Sequence, residues 1–426
     1  MLRAYYTREA DRRVHPAENK VFSLPGRMLP SAAMTRCPSP SRAWLKVRPA
    51  LTCALALALA ACATQAPPPV NTPTPAPPSA PGMTASDAIT TPLPVARPPS
   101  DEVRAAFVTE TAAKYGLDAA YIESVLARAQ IRESTLTAMS RPAETKPWRD
   151  YRPIFITQQR IDGGRAFLAE HRDQLAKVEA QYGVPAEVIV AILGVETMWG
   201  GNTGKTPVLD ALYTLAFNYP RTNAPDKIER ENQREAFFRD ELAQLMKLGK
   251  ETGLDIATLN GSYAGAMGWG QFMPSSYRAY AVDGDGDGMR NLFTDPDDVF
   301  ASVANYFVKK GGWLRGQPVM VRASFTPGPV ALVDSNGDPI HSLATLEQAG
   351  YKPLEPIPAG LTAAPILLDG ETDEYWLTFR NFRAIWSYNN SIRYATAVYQ
   401  LSQLIAQPAE SVAPVVAPPN DGQPGA

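Results

Sequence analysis

The sequence predicts a mainly α protein of the α+β class, a helical body with a small β insert, on three observations. Apolar residues recur at helical spacing over residues 101 to 130, 161 to 182, 184 to 199, 229 to 252, 296 to 311 and 391 to 406. Short β-type runs, Val319-Met-Val-Arg-Ala-Ser-Phe325 and Val330-Ala-Leu-Val333, fall within one stretch from Val319 to Leu368, punctuated by Asp334-Ser-Asn-Gly-Asp338. Both ends of the 426-residue chain lack such patterning. The folded region is therefore residues 101 to 406: a helical part at 101–180, a helical core at 181–315, the β insert at 316–370 and a C-terminal helical block at 371–406. No internal repeat is visible.

Residues 1 to 61 read as an upstream extension followed by a signal peptide that is removed. The first 33 residues are polar and arginine-bearing, so translation is expected to start at Met28 or Met34. Arg42, Lys46 and Arg48 then precede Leu51-Thr-Cys-Ala-Leu-Ala-Leu-Ala-Leu-Ala-Ala61, an apolar run too short to span a bilayer. It ends in Leu59-Ala-Ala-Cys62, which resembles the lipobox of bacterial lipoproteins and implies cleavage before Cys62 and lipidation of its thiol. Ala63 follows where an acidic residue would signal retention in the inner membrane, so the resemblance implies the periplasmic face of the outer membrane. Between Cys62 and Ser100 lie twelve prolines and two charged residues, Asp87 and Arg97. That composition makes residues 62 to 100 an extended tether. The proline-rich tail, residues 407 to 426, is expected to be disordered.

Composition narrows the chemistry. The formal net charge is −2, with acids and bases interspersed, so no basic stripe for nucleic acid exists. Cys37, Cys53 and Cys62 are the only cysteines, and His15, His171 and His341 the only histidines. The folded region thus has no thiol nucleophile or disulfide, and too few histidines for a metal cage or a Ser-His-Asp triad. Carboxylates remain.

One carboxylate stands out. Val188-Ile-Val-Ala-Ile-Leu-Gly-Val-Glu-Thr-Met-Trp199 is apolar nearly all round, which marks a central buried helix, with Pro185 preset for its first turn. Glu196 sits at its end, before Gly200-Gly201. Apolar surroundings and the negative end of a helix dipole both disfavour its charged form, as a general acid requires. The structural alternative is a buried acid paired with an arginine.

Next comes Asn260-Gly-Ser-Tyr-Ala-Gly-Ala-Met-Gly-Trp-Gly-Gln-Phe-Met-Pro-Ser-Ser-Tyr277. Its glycines let backbone approach a ligand, Tyr263, Trp269 and Phe272 offer flat faces to sugar rings, and Ser262 and Gln271 can hydrogen-bond hydroxyls or an acetamido group. A turn packed on the core is the plainer reading. Asp283-Gly-Asp-Gly-Asp-Gly288 has the first, third and fifth position carboxylates and sixth-position glycine of an EF-hand loop, although position twelve is Thr294 rather than glutamate. Asp283, Asp285, Asp287 and the backbone carbonyl of Met289 are the candidate calcium ligands. The alternative is a solvated acidic turn.

Several motifs in register are similar to the lytic murein transglycosylase B family: Gly194-Val-Glu-Thr-Met-Trp-Gly200, Leu215-Ala-Phe-Asn-Tyr-Pro-Arg221, the glycine-aromatic stretch from Gly261 to Ser276, Ser302-Val-Ala-Asn-Tyr-Phe307, and a C-terminal block from Tyr375 through Tyr394-Ala-Thr-Ala-Val398. The resemblance implies a lysozyme-like helical core with an α-helical domain and a small β domain around a glycan groove. It implies cleavage of the β-1,4 bond between N-acetylmuramic acid and N-acetylglucosamine in peptidoglycan without water. Ordinary glycosidases use two carboxyl groups, about 5 to 5.5 Å apart for retention or 6.5 to 9.5 Å for inversion. In the family one residue, matching Glu196, acts as acid and then base. The resemblance assigns Ser262 to the acetamido group, Gln271, Tyr306, Tyr388, Asn389, Tyr394 and Tyr151 to the groove, and Arg221 to a lactyl or peptide carboxylate. It closes the calcium loop with Asp298, Asp295 being the competing choice. Calcium would be structural, with no cofactor for catalysis. The implied partners are peptidoglycan glycan strands, the outer membrane through the lipid anchor, and cell-wall synthesis proteins. A hydrolytic muramidase and a non-catalytic murein-binding lipoprotein scaffold remain the alternatives.

Overall fold

The computed structural model describes residues 96–140, 146–333 and 335–408. The signal segment, Cys62 and nearly all of the tether and tail lie outside the described residues.

Helix α1 (Asp101–Tyr115) starts on Ser100, whose side-chain oxygen accepts the Val103 N–H, and stops at Gly116, left-handed at φ 61°. The helix expected over 101 to 130 is therefore two, the second being α2 (Ala119–Leu126), capped by Asp118. After α3 (Glu133–Met139) and α4 (Trp148–Phe155), the stretch 161 to 182 also divides, into α5 (Gln158–Glu170) and α6 (Arg172–Tyr182), which meet at His171. Helix α7 (Ala186–Thr197) carries Glu196, with Pro185 just ahead of its first turn. Helix α8 (Val208–Phe217) packs along α9 (Ile228–Thr252). It is buried from Val208 to Ala216, so no amphipathic stripe marks it in the sequence. Then follow α10 (Pro274–Tyr280), α11 (Pro296–Lys309), α12 (Leu343–Gln348), α13 (Arg380–Asn389) and α14 (Ile392–Ala406).

Helix α7 is the centre. Every residue from Val188 to Thr197 is buried, and α5, α6, α11 and α14 pack around it. Each of its fully buried aliphatic side chains contributes about 1.5–3 kcal/mol of transfer free energy, so the helix that holds the acid is also the main hydrophobic anchor. Glycines let the neighbours close in. A Cβ on Gly163 or Gly194 would stand 2.7 or 2.8 Å from the Trp199 ring, and one on Gly164 would stand 2.4 Å from Ile405 of α14. The absent side chains seat Trp199 between α5 and α7, where its indole N–H donates to the Val190 carbonyl at 2.9 Å.

Strands β1 (Thr206–Pro207) and β2 (Asn260–Gly261) form a two-residue antiparallel pair. The insert is a five-stranded antiparallel sheet of β3 (Met320–Phe325), β4 (His341–Ser342), β5 (Tyr351–Pro353), β6 (Thr362–Asp369) and β7 (Asp373–Thr378), in spatial order β4-β6-β7-β3-β5. It runs to Thr378, past the expected boundary at 370, because β6 turns directly into β7 with Asp369 opposite Asp373. The run from Val330 to Val333 is loop, and Pro327 and Pro329 before it lack the N–H a ladder needs. Met320, Ile366, Leu368 and Trp376 join the main core, whereas Val321, Ala323, Ala363, Leu377 and Phe379 form a second, smaller core with Leu346 of α12.

Candidate active site

The end of α7 is where the chain departs from regular geometry. Met198, Trp199 and Gly200 are consecutively left-handed, with φ of 53°, 55° and 84°. Such a conformation costs a non-glycine residue about 1–2 kcal/mol, and strain of this kind gathers at functional sites. Hydrogen bonds hold it. The Asn202 N–H donates to the Thr197 carbonyl at 2.8 Å and the Gly200 N–H to the Thr197 hydroxyl at 3.0 Å, while that hydroxyl donates to the Trp269 carbonyl at 2.8 Å. Thr197 thus fastens the helix end to the glycine-aromatic loop. Trp269 in turn lies against Gly200, where a Cβ would come within 2.5 Å of its ring.

Glu196 is 3% exposed, and the Tyr394 hydroxyl donates to its Oε1 at 2.6 Å. Burial disfavours the carboxylate, while the phenolic donor favours it. Tyr394 lies in the first turn of α14, whose start is capped by Ser391, and α14 packs on α7 along its length. Nearby, the Arg160 side chain donates to the Gly194 carbonyl at 3.0 Å and to the Ile154 carbonyl at 2.7 Å. The C-terminal turn of α7 therefore does not face Glu196 with bare carbonyls alone, a partial offset to the dipole argument made from sequence.

The glycine-aromatic loop folds back on itself. The Ser262 N–H donates to the Ala266 carbonyl at 2.8 Å, the Ser262 Oγ accepts the Ala266 N–H at 3.0 Å, and Met267 and Phe272 exchange two bonds of 2.9 Å. Gln271 is left-handed at φ 50° and 3% exposed, its amide nitrogen donating to the Thr203 and Gly268 carbonyls at 3.0 Å each. Both N–H groups are spent inside the protein, so the amide oxygen is what Gln271 can offer a ligand. Between this loop and residues 202–206 is a cavity of about 190 Å³, lined by Asn202, Lys205, Ser262, Tyr263 and Gln271 with the intervening backbone. No carboxylate lines it among the described residues.

The remaining expected groove residues have different surroundings. Tyr306 and Tyr388 are 6% and 1% exposed, with rings 4.7 Å apart, and their hydroxyls donate to the Ser387 and Gly270 carbonyls at 2.9 and 2.7 Å. They pack beneath the loop and brace it, rather than forming an open wall. Asn389, 3% exposed, ends α13 beside the left-handed Asn390, at the corner that delivers Tyr394. Tyr151 lies on α4 between Trp148 and Phe155, at ring distances of 6.2 and 5.1 Å, and α4 packs on α14. Arg221 pairs with Glu235 and donates to Asn232 at 3.0 Å, both on α9, so a substrate carboxylate would compete with Glu235 for it. The sequence offers Trp269 as a face for sugar rings but gives no role to Thr197, Trp199 or Arg160, although Gly163-Gly164 and Gly194 are the sequence trace of the Trp199 seat.

The acidic loop follows α10. Carboxylate oxygens of Asp283, Asp285 and Asp287 lie within 4.8 Å of one another, as do those of Asp285, Asp295 and Asp298. Asp283 accepts the Gly286 and Gly288 N–H groups at 2.6 and 2.8 Å, which holds it below the ordinary carboxylate value. Asp298 is fully buried, and burial pushes it up despite N–H bonds from Asn291 and Gly284. Asp295 caps α11 by accepting the Asp297 N–H at 2.9 Å. Met289 is 57% exposed and donates its N–H to Asp287 at 2.7 Å. Hard oxygen donors gathered this closely fit a calcium ion, whose charge would offset their mutual repulsion.

The transglycosylase SLT domain model matches residues 100–403. The chain is 40% identical over 311 residues, 70% of this chain and 81% of the relative, to membrane-bound lytic murein transglycosylase B of Escherichia coli strain K12. The solved structure of E. coli lytic transglycosylase Slt35 in complex with calcium superposes with a TM-score of 0.62 at 39% identity, covering 71% of this chain and 92% of that one. SltB3 from Pseudomonas aeruginosa in complex with NAG-anhNAM-pentapeptide superposes at 0.60 and 32% identity, covering 71% and 78%. With a match over this much of the chain, a lysozyme-like core and a buried acid at the end of its central helix, the chain belongs to the transglycosylase SLT domain family and is a lytic murein transglycosylase.

Proposed function

We propose that the protein cleaves the β-1,4 bond between N-acetylmuramic acid and N-acetylglucosamine with Glu196 as its single acid and base, leaving a 1,6-anhydromuramoyl end. The observation that carries this is the Glu196 carboxyl, buried and held by Tyr394 at the end of a helix that Thr197 fastens to the glycine-aromatic loop, a loop that lines a polar cavity with no carboxylate among the described residues. Protonated Glu196 delivers its proton to the glycosidic oxygen, which leaves with the electrons of the C1–O bond. The substrate's own acetamido oxygen bonds to C1 and takes the place of a protein nucleophile. Glu196, now a carboxylate, removes the proton from the C6 hydroxyl; O6 attacks C1 and displaces the acetamido oxygen, and Glu196 is protonated again. No water is consumed. Ser262 and the Gln271 oxygen orient the acetamido group, Tyr394 aims the acid, Tyr151, Tyr306, Tyr388 and Asn389 support the groove, and Arg221 meets a substrate carboxylate. The product-like ligand bound by SltB3 supports the ring-closed end.

Asp283, Asp285, Asp287, the Met289 carbonyl and Asp298 would hold one structural calcium, a reading supported by the calcium complex of Slt35. Lipidation at Cys62 would tether the enzyme to the periplasmic face of the outer membrane, which agrees with the membrane-bound designation of the E. coli relative.

Glu196→Gln preserves shape and removes only the titrating proton. Turnover of murein sacculi is expected to fall by about 10²–10⁴-fold or more, with the melting temperature little changed. Mass spectrometry of the wild-type product should show it one water lighter than the hydrolytic product. A product of hydrolytic mass would make the enzyme a muramidase, and undiminished turnover by the glutamine variant would remove Glu196 from the mechanism.

A further inference from the structure

A second and larger cavity, of about 570 Å³, lies between α4, the C-terminal half of α14 and the hairpin of β6 and β7. That volume is in the range of ordinary ligand pockets. Trp148, Trp376 and Tyr399 line it, and Trp148 is fully buried with no partner for its indole N–H among the described residues. A buried indole N–H ordinarily finds an acceptor. Of the lining acids, Glu374 pairs with Arg322 at 2.7 Å and Glu371 is exposed on the turn between β6 and β7. Arg152 donates to the neutral Gln400 amide at 2.8 Å, and Arg149 is exposed with no ion pair or hydrogen bond among the described residues. Two guanidinium groups thus line the cavity without a carboxylate partner.

We infer that this cavity receives the chain's own proline-rich tail, residues 409–416, with Glu410 meeting Arg149 and Arg152. The inference does not depend on the reaction proposed for Glu196. Helix α14 delivers the tail to the site. Tyr399, Gln400, Gln403 and Leu404 line the cavity, and Gln407, seven residues past Gln400, returns to the same face, about 20° around the axis and roughly 10 Å along it. Gln407 ends the helix with φ −72° and ψ 136°, already the polyproline II conformation. Glu410 follows three residues later at about 3.1 Å per residue, so a chain turning back along α14 brings its carboxylate level with Gln400 and the Arg152 held there. Charge agrees, since Glu410 and Asp421 are the only charged residues from 407 to 426. Aromatic-lined grooves take proline-rich strands because polyproline II is preformed. The carbonyls of such a strand have no partners within it and suit the Trp148 N–H. The other proline-rich segment enters elsewhere, where the Arg97 backbone exchanges hydrogen bonds of 2.9 and 3.0 Å with Asn218 at the end of α8. A tail whose composition builds no core of its own is thus held by the core of its own chain.

The test uses the full chain with p-benzoylphenylalanine in place of Gln403, an exposed residue of the cavity lining. Irradiation is expected to join it to residues 409–416 of the same chain, read by mass spectrometry of the digested product. In parallel, elastase, which cuts after small aliphatic residues, should sever the tail beyond Ala409 about tenfold more slowly than it cuts a synthetic peptide of residues 407–420. Arg149→Glu and Glu410→Arg should each remove most of that protection, and the two together should restore it. No cross-link to the tail, whether because nothing is joined or because a second copy or another protein is captured, would overturn the inference. So would cleavage of the wild-type tail at the peptide's rate, or protection indifferent to both charge reversals.

Discussion

Glu196 and Tyr394 are 198 positions apart in sequence yet share a 2.6 Å hydrogen bond. The acid was legible because a lone carboxylate in an apolar helix conflicts with its setting, and such a conflict shows in one dimension. Its partner was not legible in that role: nothing local marks which of the C-terminal tyrosines reaches the acid, and sequence reading placed Tyr394 only along the groove. Tyr394→Phe should leave the fold intact and lower kcat by about tenfold to a hundredfold, on the scale of a hydrogen bond to a charged group. Because the lost donor favours the carboxylate, the alkaline limb of the kcat/KM profile should move to higher pH. A profile that drops uniformly without moving would make Tyr394 a packing residue. Tyr306 and Tyr388 show the opposite case, in which motif position was readable while burial and spent hydroxyls were not.

Burial alone did not decide which elements were readable: α7 and α11 are buried over most of their length and were plain in sequence, as were the part-exposed α9 and α14. Helix α8 is short and buried from Val208 to Ala216, so neither length nor a polar face marks it. Breaks such as Gly116 depend on backbone conformation, which a long periodic pattern conceals. The segment after α7 is the most demanding. Gly200→Ala would put a methyl group 2.5 Å from the Trp269 ring at a φ of 84°. Strain and overpacking together should cost roughly 2–4 kcal/mol. Chemical denaturation measures this directly, and a variant within about 0.5 kcal/mol of wild type, the usual range of surface substitutions, would mean that the ring yields readily.

Across the whole molecule, a helical body and a sheet share one core through Met320, Ile366, Leu368 and Trp376, and the acidic loop stands between α10 and α11. The aspartate spacing was plain in sequence; Asp298 and its competitor Asp295 came from the family resemblance and not from spacing, since their approach to Asp285 depends on where α11 begins. A bound ion present at a hundredfold its dissociation constant stabilises by about 2.7 kcal/mol, which in a domain of this size corresponds to roughly 4 °C. Chelation should lower the melting temperature by that order, and added calcium, not magnesium, should restore it. An unchanged melting temperature with no heat on calcium addition would leave the loop merely acidic.

The Thr197 clasp has a consequence for inhibition. With its hydroxyl bound to Gly200 on one side and Trp269 on the other, the dipoles around Glu196, the proposed proton donor, are oriented before any ligand arrives. Little solvent-like reorganisation is then left to the reacting complex. A stiff cationic mimic of the oxocarbenium geometry should accordingly bind with a small entropic penalty, whereas a floppy oligosaccharide of equal contact area would forfeit that advantage.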